Sequence, residues 1–178
     1  MAGRTLPSVT TETEFFWKSG ADGRLRVQEC RSCLALIHPP QPVCRYCRSH
    51  DIAPTAVSGY ATLIGFTVNH RFPAPGLTLP YVVAQVALEE DPRVRLTTNV
   101  VDCEPEQLRL GMRMRVVFEQ DGDVWLPLFR PADADPVPPA PLPDDPEVWR
   151  SVRPMPRTEK FEERSPSPAS ARPRSGAG

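Results

Sequence analysis

Four cysteines in two Cys-x-x-Cys pairs are the residues whose type and spacing most directly indicate chemistry. Cys30 and Cys33 form the first pair, Cys44 and Cys47 the second, and ten residues separate the pairs. Each pair can present two thiolates from one tight turn, and two such turns facing each other form a tetrahedral four-sulfur site that suits Zn²⁺. Because four thiolates fill the coordination shell, the pattern predicts a structural metal rather than a catalytic one.

Three other uses of these sulfurs compete with zinc. A disulfide framework is disfavoured because the N-terminus lacks the apolar segment of a secretory signal and the fifth cysteine, Cys103, stays unpaired. A thioredoxin-like redox site needs one Cys-x-x-Cys in a βαβ unit, which the sequence pattern lacks. Iron in a rubredoxin-like site uses the same four sulfurs, so an electron carrier remains an alternative. The arginines beside the ligands, Arg31, Arg45 and Arg48, are interpreted as charge balance for the thiolates.

Overall charge and hydropathy limit the classes of function. The net charge is −1 and aromatic residues make up 7% of the chain, whereas binding of single-stranded nucleic acid favours a basic groove with stacking aromatics. Nucleic-acid binding is therefore a second, disfavoured alternative. No apolar run approaches the ~20 residues that span a bilayer, so we expect no membrane association and a cytoplasmic location.

Hydrophobic periodicity divides the chain into four segments. We predict an N-terminal helical segment over 1–24, a zinc ribbon over 25–51, a β-barrel over 52–131 and a Pro-rich tail over 132–178. Alternating patterns predict five barrel strands, with one helical turn between the third and the fourth, as in an OB-fold. A small β-sandwich gives a similar pattern. Twelve of the 23 prolines lie in the last 48 residues, so the tail is expected to stay disordered or to wrap around a partner.

Aromatic residues outside the predicted strands suggest contact with another protein. Phe15, Phe16 and Trp17 are adjacent on a short predicted helix that begins near a Thr cap. Three adjacent aromatics cannot all face one core from one short helix, so we expect part of this cluster to dock elsewhere on the domain or on a partner. Trp149 in the tail is a second candidate anchor, since Trp is enriched at interface hot spots.

The order of these parts resembles a known family. The chain runs through FFW, HPP-Q-PVC-x-x-C, SGYATLIGFTVNHRFPAPG, LPYVVAQVALEE, LTTNVVDCEPEQLRLGMRMRVVFE and WLPLFRP. Over about residues 14–131 this order resembles the OB-fold acyl-CoA-associated proteins with a rubredoxin-like zinc ribbon, long called domain of unknown function family 35. The sequence departs from the family pattern at Leu34 and Arg48, where we expect a glycine after each Cys-x-x-Cys.

The resemblance implies an accessory subunit. Members are similar in serving thiolases and lipid-transfer-protein-type aldolases that act on acyl-CoA thioesters, including a retro-aldolase of steroid side-chain breakdown, so a hetero-oligomer is expected. By the same likeness, the four paired cysteines are the metal ligands. His70, Arg71 and Phe72 match the loop between the first two barrel strands, where contact with coenzyme A or a partner is expected, and Arg can hold phosphate oxygens bidentately.

No catalytic set emerges from the sequence. Asp102 and Glu104 flank Cys103, and both carboxylates raise a thiol pKa, so Cys103 is interpreted as structural. His38 and His50 lie in or beside the ribbon, where surface placement is favoured over catalysis. Four outward arginines of the predicted barrel are interpreted as a solvated face: Arg93, Arg95, Arg113 and Arg115.

Overall fold

The computed structural model describes residues 4–71 and 74–132, and these residues form a mainly β structure. A single turn of α-helix, α1 (Glu14–Trp17), precedes the strands, and two 3₁₀ turns cover Ser19–Asp22 and Pro105–Gln107. The strands are β1 (Arg26–Cys30), β2 (Leu36–Ile37), β3 (Ile52–Ala56), β4 (Tyr60–Asn69), β5 (Tyr81–Leu88), β6 (Arg95–Val100), β7 (Arg113–Asp121) and β8 (Val124–Pro131). Phe72, Trp149 and the Pro-rich tail beyond residue 132 lie outside the described residues.

A three-stranded antiparallel sheet carries the paired cysteines. Its order is β2-β1-β3, and β3 pairs with β1 along its whole length, from Arg26 opposite Ala56 to Cys30 opposite Ile52. Residues 52–56 were predicted to begin the barrel, yet they belong to the ribbon sheet. Alternation identifies a strand but not its sheet, and Ile52 packs against the cysteine cluster instead of the barrel core.

The other five strands close into a barrel in the order β4-β5-β6-β8-β7. All five predicted barrel strands are present, and the 3₁₀ turn at Pro105–Gln107 lies between the third and the fourth, as predicted. Closure is uneven, because β6 and β8 run parallel and share a single paired position, Val100 opposite Phe129. The seam between β6 and β8 is therefore open along most of its length.

Strand β4 contains an irregularity that the alternating pattern conceals. Its register with β5 shifts between Leu63 and Gly65. Before the shift, the odd-numbered Ala61 and Leu63 are fully buried. After it, the even-numbered Val68 packs against the core, where an unbroken alternation would place odd-numbered residues. A bulge adds one residue to one strand, so it moves the following side chains to the opposite face.

One hydrophobic core joins the barrel, the ribbon sheet and α1. The side chains predicted to share one face of β5 are all buried: Val82, Ala84, Val86 and Leu88. Phe129 of β8 is the largest fully buried side chain among the described residues. Leu25 and Val27 beside the ribbon and Phe16 of α1 belong to the same cluster. Loss of the ribbon would thus expose part of the barrel core.

Candidate metal centre and binding surfaces

The four paired cysteines converge on one point between the two turns of the ribbon. Their sulfur atoms lie within 4.8 Å of one another. The Sγ atoms of Cys30 and Cys47 are 3.5 Å apart, and those of Cys33 and Cys44 are 3.7 Å apart. Tetrahedral zinc with Zn–S bonds near 2.3 Å requires S–S separations of about 3.8 Å. The donor set therefore fits Zn²⁺, and the prediction of these four ligands agrees with the geometry.

The two turns that hold the sulfurs repeat the same hydrogen bonds. The amide of Leu34 donates to the Cys30 carbonyl at 2.7 Å, and the amide of Arg48 donates to the Cys44 carbonyl at 2.8 Å. Leu34 and Arg48 both adopt positive φ, 60° and 62°. These are the positions where glycine was expected, so the departure from the family pattern leaves the turn geometry intact and places two bulky residues in a left-handed conformation.

We predict that glycine at these positions stabilises the chain. Leu34→Gly should raise the free energy of unfolding by about 1 kcal/mol, because a left-handed conformation costs a non-glycine residue about 1–2 kcal/mol and the exposed Leu34 side chain buries little area. Urea denaturation at fixed zinc concentration measures the change. Arg31→Gly is the matched control, since Arg31 is exposed and is not among the positive-φ residues; this change should destabilise by about 0.5–1 kcal/mol. If both changes destabilise the chain, the left-handed conformation of Leu34 is not strained and the prediction is wrong.

Tyr46, in the second Cys-x-x-Cys pair, links the ribbon to the barrel. Two guanidinium groups lie over its ring, that of Arg45 at 5.1 Å and that of Arg93 at 5.4 Å from the centroid. Arg93 also bonds the buried carboxylate of Asp91 through two nitrogens, at 2.9 and 2.8 Å. Arg93, expected on a solvated face, therefore ties the turn before β6 to the metal site and adds positive charge beside its thiolates.

The remaining outward arginines are also engaged within the protein. Arg113 bonds the Glu89 carboxylate at 2.7 and 3.1 Å, and its guanidinium lies 4.0 Å from the centroid of Tyr60. Arg115 lies 5.9 Å from the same ring. This pairing favours the interpretation of a solvated strand face over that of a ready-made phosphate site.

The loop after β4 holds the residues predicted to meet a ligand. His70 and Arg71 are both exposed. The side chain of Asn69 fixes the start of the loop, because its Nδ2 donates to the Tyr81 hydroxyl at 2.6 Å and its Oδ1 accepts from the Arg71 amide at 3.2 Å. Two adjacent polar side chains therefore project from a loop that is anchored at its base, and their predicted role in binding stays a prediction.

The aromatic residues of α1 lie on the same body as the barrel core. Phe16 is only 4% exposed, while Phe15 and Trp17 are half-buried and pack against the core cluster. Phe16 meets Trp17 edge-on and also contacts the His38 ring, each at 4.8 Å between centroids. Burial leaves little of Phe16 for a partner, so the predicted interface is narrowed to Phe15 and Trp17.

A cavity beside α1 was not foreseen from the sequence. Its volume is about 670 Å³, and it follows the open seam of the barrel. We call it the seam groove; it is lined mainly by residues 4–7, 38–40, 74–77, 96–99 and 126–128 together with Thr13, Phe16 and Trp17. Trp17 and the prolines of the ribbon were visible in the sequence. No pattern in the sequence indicated the gap between β6 and β8 along which the cavity lies.

His38 borders the seam groove as a half-buried side chain. Among the residues that the structure describes, its buried Nδ1 atom has no hydrogen-bond partner. Burial lowers the pKa of His38 to about 4, from its usual 6.5. The unfolded chain therefore binds a proton at this residue more readily than the folded chain does, and stability falls as the pH drops from 6.5 toward 4.

We predict that His38→Phe reduces this acid sensitivity. Wild-type protein should lose about 2 kcal/mol more than the variant between pH 7 and pH 5, because the variant has no imidazole to protonate. Urea unfolding of both proteins at both pH values gives the difference between their stability losses. Protonation of the metal ligands affects both proteins equally and therefore cancels. The exposed His50 supplies the control: His50→Phe should keep the wild-type pH dependence. Identical pH profiles for wild type and His38→Phe would contradict the prediction.

Cys103 is placed as the sequence indicated. Its thiol donates to the Glu104 carbonyl at 3.4 Å and to Gln107 Oε1 at 3.7 Å. Burial and the nearby Glu104 carboxylate raise the pKa of the thiol, which opposes formation of a nucleophilic thiolate.

Within residues 4–71 and 74–132, none of the helices has the length and hydrophobicity of a membrane span.

Two family models match consecutive parts of the chain. Residues 17–53 match the model described as ChsH2, rubredoxin-like zinc ribbon domain. Residues 54–119 match the model described as ChsH2, C-terminal OB-fold domain. Together they cover the ribbon and most of the barrel, and they agree with the fold and with the four-cysteine site described above.

Relatives of this chain carry two kinds of name. It is 35% identical over 130 residues to a probable enoyl-CoA hydratase alpha subunit of Thermomonospora curvata, covering 72% of this chain and 40% of the relative. It is 34% identical over 112 residues to a 3-oxo-4,17-pregnadiene-20-carboxyl-CoA hydratase alpha subunit of Mycobacterium tuberculosis, covering 63% and 35%. It is 32% identical over 99 residues to a DUF35 domain-containing scaffold protein of Methanocaldococcus jannaschii, covering 53% and 69%.

A solved structure matches over almost its entire length. It is a chain of the Ltp2-ChsH2(DUF35) aldolase, with a TM-score of 0.65 and 34% identity, and the match covers 71% of this chain and 98% of that chain. By contrast, the chain spans well under half the length of the two hydratase subunits. The likeness is thus to part of the hydratase subunits and to nearly all of the chain from the aldolase complex.

Proposed function

The chain belongs to the DUF35 family of zinc-ribbon and OB-fold proteins, and we propose that it is a non-catalytic subunit that binds and stabilises a thiolase-like enzyme. The partner in this proposal is a thiolase or retro-aldolase that acts on acyl-CoA thioesters, in steroid side-chain or related lipid degradation. The observation that carries the proposal is the match to 98% of a chain from an Ltp2-ChsH2(DUF35) aldolase.

The chemistry of the site supports a structural role. The four thiolates would hold zinc with no position left for water or substrate, so the ion supplies folding energy rather than Lewis-acid catalysis. The raised pKa of Cys103 argues against a covalent mechanism at the remaining thiol. A name ending in scaffold protein for the Methanocaldococcus jannaschii relative is consistent with this role.

Contact with coenzyme A is a further part of the proposal. The exposed His70 and Arg71 lie together on an anchored loop, and a guanidinium can grip phosphate oxygens through two nitrogens. Arg71 is the residue we expect to meet the 3′-phosphate or the pyrophosphate of an acyl-CoA held mainly by the partner. Arg93 and Arg113 are engaged by Asp91 and Glu89 and have no such role in the proposal.

Co-purification with activity assays tests the function. The tagged full chain is isolated from its native host, captured proteins are identified by mass spectrometry, and thiolytic or retro-aldol cleavage of acyl-CoA substrates is measured. We expect a thiolase-like protein in stoichiometric amount, activity in the complex and none in this chain alone. Turnover by the isolated chain, or a red colour with a visible charge-transfer band from bound iron, would contradict the proposal. A steep salt-dependent affinity for single-stranded nucleic acid would favour that alternative.

We predict that Trp149 contributes to the complex. Trp149→Ala should weaken binding of the partner about 30-fold, the effect of removing a hot-spot side chain worth about 2 kcal/mol. Truncation after Pro131 should weaken binding at least as much, and truncation after Arg150, which keeps Trp149, is the matched control. Partner binding is measured by calorimetry. Unchanged affinity in all three variants would show that the tail is not part of the interface.

A further inference from the structure

The seam groove lies beside a gap between two barrel strands. It follows the stretch where β6 and β8 lie side by side without a ladder, because these strands pair only at Val100 and Phe129. The Thr98 hydroxyl bridges part of this gap by donating to the Pro127 carbonyl at 2.8 Å. The seam groove therefore lies along a gap that one side-chain hydrogen bond crosses.

The lining of the seam groove is chemically specific. Its apolar side chains include Leu96 and Leu128, and the half-buried Trp17 and the prolines 39 and 40 also line it. In the part of the chain that the structure describes, the indole N–H of Trp17 makes no hydrogen bond. An aromatic wall with an available indole donor is the arrangement by which proteins bind segments in the polyproline II conformation, whose carbonyls accept the hydrogen bond.

We propose that the seam groove binds residues 136–143 of this same chain, whose sequence is PVPPAPLP. Proline fixes φ near the polyproline II value, so the segment loses little conformational entropy on docking. The segment carries no charged residue, and acidic pairs flank it on both sides. An uncharged, apolar ligand suits this groove, because the Arg4 side chain at its rim is already bonded to Glu119 and Asn99.

The length of the connecting chain permits this docking. Strand β8 ends at Pro131, three residues beyond Leu128 in the groove, a distance of about 10 Å along the strand. Residues 132–135 can span up to about 14 Å, which is enough for the chain to turn and bring Pro136 back to the groove. A tether this short gives an effective concentration in the millimolar range, so a weak site would still be occupied.

Photo-crosslinking in the full chain tests the location. The photoreactive residue p-benzoylphenylalanine replaces Leu142, or Ala169 as the control in the same tail, and crosslinked peptides are mapped by mass spectrometry. We expect the probe at 142 to crosslink to groove residues at least tenfold more than the probe at 169. Mixing chains of two isotopic compositions separates docking within one chain from docking between copies. In an equal mixture, docking within one chain gives crosslinks between like isotopes alone, whereas docking between copies joins unlike isotopes in about half of the crosslinks. That second outcome, or equal yields from both probes, would overturn the proposal.

Hydrogen exchange of the Trp17 indole tests the contact without changing the groove. We expect the indole proton to exchange about tenfold more slowly in the wild-type chain than in the double variant P139G/P141G, which loses the pre-set backbone conformation. The variant P166G/P168G removes two prolines outside the segment and should keep wild-type exchange. Slow exchange in all three chains, or fast exchange in all three, would overturn the proposal. Neither experiment involves the partner enzyme, so the outcome is independent of the proposed function.

Discussion

Replacing Cys33 by serine is expected to abolish zinc binding and to unfold the ribbon. A serine hydroxyl cannot replace the soft thiolate, and three remaining sulfurs leave the ion exposed to competition from water and chelators. Because structural zinc contributes apparent binding energies of about 10–16 kcal/mol to folding, the loss is comparable to the total stability of a typical domain, about 5–15 kcal/mol. Elemental analysis of the purified chain and denaturant unfolding measure the two effects.

The effect should extend beyond the ribbon. Leu25, Val27 and Leu36 belong to the same core cluster as the barrel strands, and Tyr46 is held by Arg93 from the barrel. Disorder in the ribbon would expose these side chains, so we expect one cooperative loss of structure and, with it, loss of partner binding.

Cys103→Ser is the matched control for this prediction. It makes the same chemical change at a cysteine outside the four-sulfur cluster. This variant should keep one zinc per chain and lose no more than about 1 kcal/mol, because the thiol makes only weak hydrogen bonds. A Cys33→Ser chain that lacks zinc but unfolds at the wild-type denaturant concentration would refute the structural role of the metal.

Phe129→Ala is expected to produce the largest loss of stability that leaves the metal site intact. Phe129 is fully buried, faces Val116 across the β7–β8 ladder and forms the single paired position with Val100 of β6. Truncation of a buried Phe to Ala removes apolar contacts and leaves a cavity, at a typical cost of 3–5 kcal/mol. Urea denaturation should show this loss, and the folded variant should retain zinc, since the four sulfurs lie in a separate cluster.

Phe66→Ala provides the comparison. Phe66 lies on β4 but is 37% exposed, so its truncation should cost less than about 1.5 kcal/mol. Similar losses for the two variants would show that Phe129 is not the centre of the core. A Phe129→Ala chain that also loses zinc would show that the barrel, rather than the ribbon alone, maintains the geometry of the sulfur site.

The amino-acid sequence by itself determined which four cysteines cluster, the five barrel strands and the turn between the third and the fourth. These features depend on local patterns: the spacing of cysteines within a turn, the period of two along a strand, and the residues that follow each strand. The raised pKa of Cys103 was readable in part: burial is its larger cause, and Glu104, a neighbour in the chain, contributes as expected, whereas Asp102 was expected to contribute and does not.

Only the tertiary structure decided how those parts meet. It assigned residues 52–56 to the ribbon sheet and changed the facing residues of β4 at a bulge. It also engaged Arg93 with Tyr46 and Asp91 and placed the half-buried His38 against the Phe16 ring. It also opened the seam groove between β6 and β8. Such features depend on contacts between residues far apart in sequence, and a pattern with a period of two contains no information about which strand lies beside which.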